Sequence, residues 1–137
     1  PESMVDFVTR LCVNYHSCVN ASAQFAALAA LKGSMDEVLQ MIHAFDRRRK
    51  VIVDALNTLP NVHCADAAGA FYAFPNITQT GLSAKEAQDL FLEKAGVATV
   101  AGTSFGLGGE GHLRFSYANS EENILKAVER IRPFLTK

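Results

Sequence analysis

The sequence predicts an α+β fold: a small, mostly antiparallel sheet covered by helices, with a helical arm at the N-terminus. Three observations lead there. Apolar residues recur at helical spacing in four segments, short aromatic or β-branched runs interrupt them in the second half, and serine caps and proline stops mark the joints.

Residues 22–31, "SAQFAALAAL", are strong helix formers whose dense alanines permit close packing, and Lys32-Gly33 ends them. Ser34 with Glu37 three residues on forms a capping-box pattern, from which a long helix runs to Pro60. Its apolar stripe is Val38, Met41, Ile42, Phe45, Ile52, Leu56 and Leu59, with the "DRRRK" run at residues 46–50 mostly off it. The period then changes. Residues 62–64 and 69–74 ("GAFYAF") read as paired strands, the second stopped by Pro75. Ser83 with Glu86 caps a third helix that places Leu90 and Phe91 inward and closes at Gly96. Residues 97–100 and 112–117 are two further strands, and Ser120 opens a last helix ended by Pro133. Two parts follow: residues 1–33 as an arm with no sheet of its own, which must pack on another domain or a second copy, and residues 34–137 as the sheet-bearing domain.

The 137 residues are 49% hydrophobic and 20% charged, as suits one globular domain with an arm. Thirteen Lys+Arg against fourteen Asp+Glu leave a net charge of -1, which gives no electrostatic case for a nucleic-acid or membrane-surface partner. The odd set Cys12, Cys18 and Cys64, without a C-x-x-C pair, argues against a disulfide framework or structural zinc and fits a reducing, cytoplasmic setting. No signal peptide or bilayer-spanning run is read. The start at Pro1 rather than methionine suggests a piece of something longer.

The chemistry concentrates in residues 102–118, "GTSFGLGGEGHLRFSYA". Alternation puts Leu113, Phe115 and Tyr117 on a core face and His112, Arg114 and Ser116 on the other. Such a polar row also suits the solvated face of an antiparallel sheet. The loop before it argues for more, because Gly102, Gly106, Gly108, Gly109 and Gly111 permit positive φ and close backbone approach beyond what a plain hairpin needs.

These residues, with "GAFYAFPNI" upstream and "SAQFAALAAL" near the start, resemble the C-terminal part of a fold-type I, class I/II aminotransferase dependent on pyridoxal phosphate, of the aspartate aminotransferase superfamily. Gly102, Phe105, Gly106, Gly109, Gly111, Arg114, Phe115, Ser116, Tyr117 and Ala118 match the family pattern, and Ala101 replaces its usual proline. The resemblance implies that Arg114 holds the substrate α-carboxylate and that Gly69 and Phe71 line the substrate side. A guanidinium suits that task, since its planar fork meets both oxygens at once. It also implies an amino acid and a 2-oxo acid as substrates, a homodimer, and a small domain that closes over the substrate, with residues 1–33 left from the large cofactor-binding domain.

None of Lys32, Lys50, Lys85, Lys94, Lys126 and Lys137 lies in the family's S-x-x-K setting. The cofactor is therefore expected in the full-length parent and not on this chain, which is expected to be inactive by itself, with neither a catalytic nor a metal-ligating residue of its own. The alternative is the aminotransferase-like effector domain of a cofactor-responsive transcription regulator. Tyr15-His16-Ser17-Cys18 reads as an interface loop, His63-Cys64 as a strand end, and the "DRRRK" run, His43 and His112 as solvated surface.

Overall fold

The computed structural model describes residues 1–135. The chain forms two compact units, residues 1–38 and residues 39 onward.

The first unit holds a short turn, Glu2–Met4, and two helices, α1 (Val5–His16) and α2 (Ala21–Lys32). Helix α2 matches the alanine-rich segment and is capped by Asn20, whose side chain accepts from the Ala23 N–H. Helix α1 carries no clear signal in the sequence, since its β-branched valines and threonine have weak helix propensity. Tyr15 and His16 consequently end a helix rather than occupy a loop, and the break comes at Ser17, whose φ is +59°. None of residues 1–37 is buried, and Phe7, Tyr15 and Leu31 are 72%, 81% and 86% exposed.

Helix α3 (Asp36–Asn57) opens where the sequence predicts, although the Ser34 hydroxyl takes the N–H of Asp36 rather than that of Glu37. Its later stripe is core: Ile52, Leu56 and the following Leu59 are buried. The earlier stripe is not, since Met41 and Ile42 are 56% and 54% exposed.

The sheet has three short antiparallel strands in the order β1 (Tyr72–Ala73), β3 (Leu113–Ser116), β2 (Val100–Ala101). Tyr72 pairs with Ser116 on one side of β3, and Val100 pairs with Arg114 on the other. Alternation holds in β3: Leu113 and Phe115 are buried against Leu56, Phe91, Ile124 and Val128, while Arg114 and Ser116 face away. Residues 62–64 are not a strand. The Asn57 side-chain amide bonds both the N–H and the C=O of Cys64, at 2.8 and 2.9 Å, and so satisfies the backbone groups that a neighbouring strand would have taken. Only His63 bridges, to Asn76, beyond Pro75, which has no N–H to donate. The strand expected at 97–100 likewise shifts to β2, because the Val97 N–H is spent on the Phe91 carbonyl in closing the preceding helix.

That helix, α4 (Ala84–Leu90), continues as a wider turn over Phe91–Ala95 and ends at Gly96 with φ +65°. Its capping box is complete: the Ser83 hydroxyl accepts from the Glu86 N–H, and the Glu86 carboxylate accepts from the Ser83 N–H. The carboxylate also accepts from the Ser83 hydroxyl, and the two bonds it accepts, the one from the Ser83 backbone N–H first, hold the Glu86 carboxyl below its ordinary pKa. The stabilisation is therefore present above the usual carboxylate range and lost as pH falls through it. Ser83→Ala is expected to lower stability by about 1 kcal/mol, read as a shift in the urea midpoint; an unmoved midpoint would show the cap to be idle. Helix α5 (Glu121–Ile131) is capped by Ser120 onto the Asn123 N–H and buries Ile124, Val128 and Ile131 against the same core. A last turn, Arg132–Phe134, contains Pro133.

Candidate functional site

Arg114 stands on the sheet face opposite the core, half-buried, flanked by Tyr72 from β1 and by Phe105 from the glycine-rich loop. Its guanidinium carbon lies 4.4 Å from the Tyr72 ring centre and 4.9 Å from that of Phe105. Among the described residues it has neither an ion pair nor a hydrogen bond from its side chain. Arg49 and Arg132 differ: each donates to a carboxylate, Arg49 to Asp46 and Asp66, and Arg132 to Glu129. A cation placed over two rings and taken by no carboxylate has its N–H donors available to an anion, which is the chemistry carboxylate binding requires.

The register explains the neighbours. By the register of β1 on β3, Tyr72 and Phe74 share the face of Arg114 while Ala73 points the other way. Phe74 stacks on His112 with ring centres 5.1 Å apart and planes 9° apart, and meets Phe105 edge-on at 6.4 Å. Nδ1 of His112 lies 3.1 Å from the Glu110 carbonyl oxygen, which can only accept, so Nδ1 carries a proton. Its Nε2 lies 3.4 Å from the Asn76 side-chain nitrogen. His112 is thus a braced ring beside the site rather than bare surface.

The loop's glycines have a structural reason. A Cβ on Gly102 would sit 2.0 Å from the Gly109 carbonyl oxygen, and one on Gly109 would sit 2.0 Å from that of Gly102. The two backbones touch face to face, and the loop folds on itself over a short turn, Gly102–Phe105, that carries the Phe105 ring. The Glu110 carboxylate ties the loop to α4 by accepting from the Ala84 N–H at 2.8 Å and the Gly111 N–H at 3.1 Å.

Phe71 and Gly69 lie elsewhere on the same strand approach. Phe71 is 42% exposed, packs on Phe45, and reaches Arg114 only through Tyr72, its ring centre 4.4 Å from that of Tyr72. Gly69 lines an open recess of about 180 Å³ with Phe45, Asp46, Arg49 and Tyr117, of which Arg114 is not part. A larger groove of about 390 Å³ runs beside α5 and also excludes Arg114. Sequence reading singles out Arg114 on this face; Tyr72 and Phe74 come beside it only through the pairing of β1 with β3, and the bracing of His112 only through the loop.

The other candidates resolve simply. Burial pushes the Cys64 thiol pKa up, the Phe74 backbone opposing, and no group of His, Cys, Asp or Glu among the described residues could hold a metal. In the basic run, Lys50 and Arg49 pair with Asp46, Arg47 with Glu121 at 3.5 Å, and Arg48 lies over Phe45. Lys32, Lys50, Lys85, Lys94 and Lys126 are all exposed, Lys50 and Lys85 being paired with Asp46 and Asp89; Lys137 lies outside the described residues. No described helix is long and apolar enough to cross a membrane.

Residues 2–131 match the family described as aminotransferase class I and II. An aspartate aminotransferase of Pyrococcus horikoshii is 36% identical over 137 residues, covering 98% of this chain and 35% of the relative. An aromatic-amino-acid aminotransferase of Thermococcus litoralis is 37% identical over 139 residues, with 98% and 35% covered. The solved structure of an aromatic aminotransferase from Pyrococcus horikoshii superposes with a TM-score of 0.91 at 36% identity, over 98% of this chain and 36% of that one. The chain spans about a third of the length of these relatives.

Proposed function

Because the chain belongs to the class I and II aminotransferases, we propose that it is the substrate-closing, C-terminal part of an enzyme that exchanges an amino group between an amino acid and a 2-oxo acid. Arg114 binds the α-carboxylate that both substrates share. The observation that carries this reading is the guanidinium held between two rings with no counter-ion among the described residues. Fixing the carboxylate orients the α-carbon for reaction, and closure of the domain over it excludes water.

Residues 34–137 are the small domain. Residues 1–33 are the remnant of the large one, a role supported by apolar side chains such as Phe7 and Leu31 that have no cover within their own unit. Phe71, one residue before Tyr72, and Gly69, three residues before it, flank the substrate side. The parent acts as a homodimer in the cytoplasm, a setting that suits its exposed Cys12 and Cys18 thiols.

Pyridoxal phosphate, which the family implies, supplies the electron sink for chemistry at the α-carbon. The described lysines are exposed and none is arranged as its anchor, so the residues described here do not form its site. Its contacts fall to the rest of the parent, and the isolated chain is inactive. The relatives named above are enzymes, which favours a transaminase over a regulator's effector domain.

The test is amino-group transfer by the purified full-length protein, supplied with pyridoxal phosphate, from L-aspartate or L-phenylalanine to 2-oxoglutarate. Glutamate formation with release of the matching 2-oxo acid is expected. Absence of transfer from these and every other standard amino acid would overturn the proposal.

A further inference from the structure

We infer that the glycine-rich loop serves Arg114 at one remove: it sets the ring of Phe105 against the guanidinium, and Phe105 and Tyr72 together position that cation where other arginines of the chain use carboxylates. The inference rests on the carboxylate-binding reading of Arg114. It assigns to the loop a task beyond contact with substrate.

A guanidinium can be fixed in two ways. Carboxylates grip its N–H edge, as Asp46 grips Arg49 and Glu129 grips Arg132. That arrangement uses the donors a substrate would need. Aromatic rings grip its faces and leave the edge free. At Arg114 rings stand in place of carboxylates: the guanidinium carbon lies 4.4 and 4.9 Å from the Tyr72 and Phe105 ring centres, and no carboxylate among the described residues pairs with it.

The two rings reach Arg114 differently. Tyr72 arrives by strand register, on the neighbouring strand and on the same face. Phe105 has no strand to hold it, and its position depends on the loop. Gly102 bonds its N–H to the His112 carbonyl at 2.9 Å, two residues before Arg114, so the turn carrying Phe105 is tied to the strand carrying the arginine. Immediately after Phe105 the chain reverses through Gly106 at φ +122°, a conformation that L side chains rarely adopt. Behind the ring stand Phe74 and the braced His112. Phe105 is nonetheless 56% exposed, so burial in the core does not account for a large apolar side chain at this position. Its contacts are the Arg114 guanidinium and the Phe74 ring.

The experiment is a double-mutant cycle in the full-length holoenzyme, with KM and kcat measured for L-aspartate and L-phenylalanine. Phe105→Leu is expected to raise KM about 3- to 30-fold, the span of a cation–π contact, with kcat changed less than about twofold. Phe105→Tyr, which keeps a ring, should stay near the parent value. In an Arg114→Ala background, Phe105→Leu should add nothing further, because its whole effect passes through the guanidinium. An unchanged KM for Phe105→Leu beside a raised KM for Arg114→Ala would overturn the positioning role while sparing the arginine. Equal effects of Phe105→Leu in both backgrounds would show a contribution independent of Arg114 and overturn it too. If Arg114→Ala itself changes nothing, the carboxylate reading falls first and this inference with it.

Discussion

Replacing Arg114 by alanine in the full-length protein is expected to lower kcat/KM for amino acid donors by about 2 to 5 kcal/mol, roughly 30- to 4000-fold. The loss has two sources. The substrate carboxylate gives up its charge-assisted bonds, and it is left partly desolvated against the Tyr72 and Phe105 rings with nothing to neutralise it. Arg114→Lys is expected to recover only part of the loss, since an ammonium is a point charge that neither meets two oxygens in one plane nor stacks flat between rings. The fold should survive both changes, because Arg114 faces away from the core that Leu113 and Phe115 build. A full recovery by lysine would argue for a general electrostatic role in place of a planar fork.

The second large effect is on stability. Gly102→Ala would force a Cβ to within 2.0 Å of the Gly109 carbonyl oxygen and 2.9 Å of that of His112, both backbone atoms that cannot swing aside. Overpacking of this kind costs about 1 to 3 kcal/mol, and disturbing the buried bond from Gly102 to His112 adds about 1 kcal/mol. A destabilisation of about 2 to 4 kcal/mol is therefore expected from denaturant unfolding of the 137-residue chain. Gly108 is the internal control: nothing lies within 4 Å of a Cβ built there, so Gly108→Ala should be close to neutral. Equal effects at the two glycines would refute the backbone contact as the reason for the motif.

Legibility followed the range of the interactions. Serine caps, the αL glycine at Gly96 and the alternation of β3 were readable because each depends on residues within a few positions of one another. The sheet edges were not, because groups outside each run compete for its backbone: the Asn57 side chain, seven residues back, claims Cys64, and the Phe91 carbonyl, six residues back, claims the N–H of Val97. The early part of the α3 stripe was legible as amphipathic, yet Met41 and Ile42 are exposed, since periodicity shows that a face is apolar without showing what covers it. At the site, Arg114 stood out by chemistry and motif. Tyr72 required the strand register, and the packing of Gly102 on Gly109 required three dimensions.

Whether Arg114 recognises a carboxylate is tested most directly by a pair of donors that differ only in that group, L-phenylalanine and 2-phenylethylamine. With the full-length holoenzyme, kcat/KM is measured for both in the parent and in Arg114→Ala. The predicted result is a fall of at least about 30-fold for the amino acid and no comparable change for the amine, which leaves the variant with little preference between them. An equal fall for both donors, or an undiminished preference for the amino acid, would contradict it.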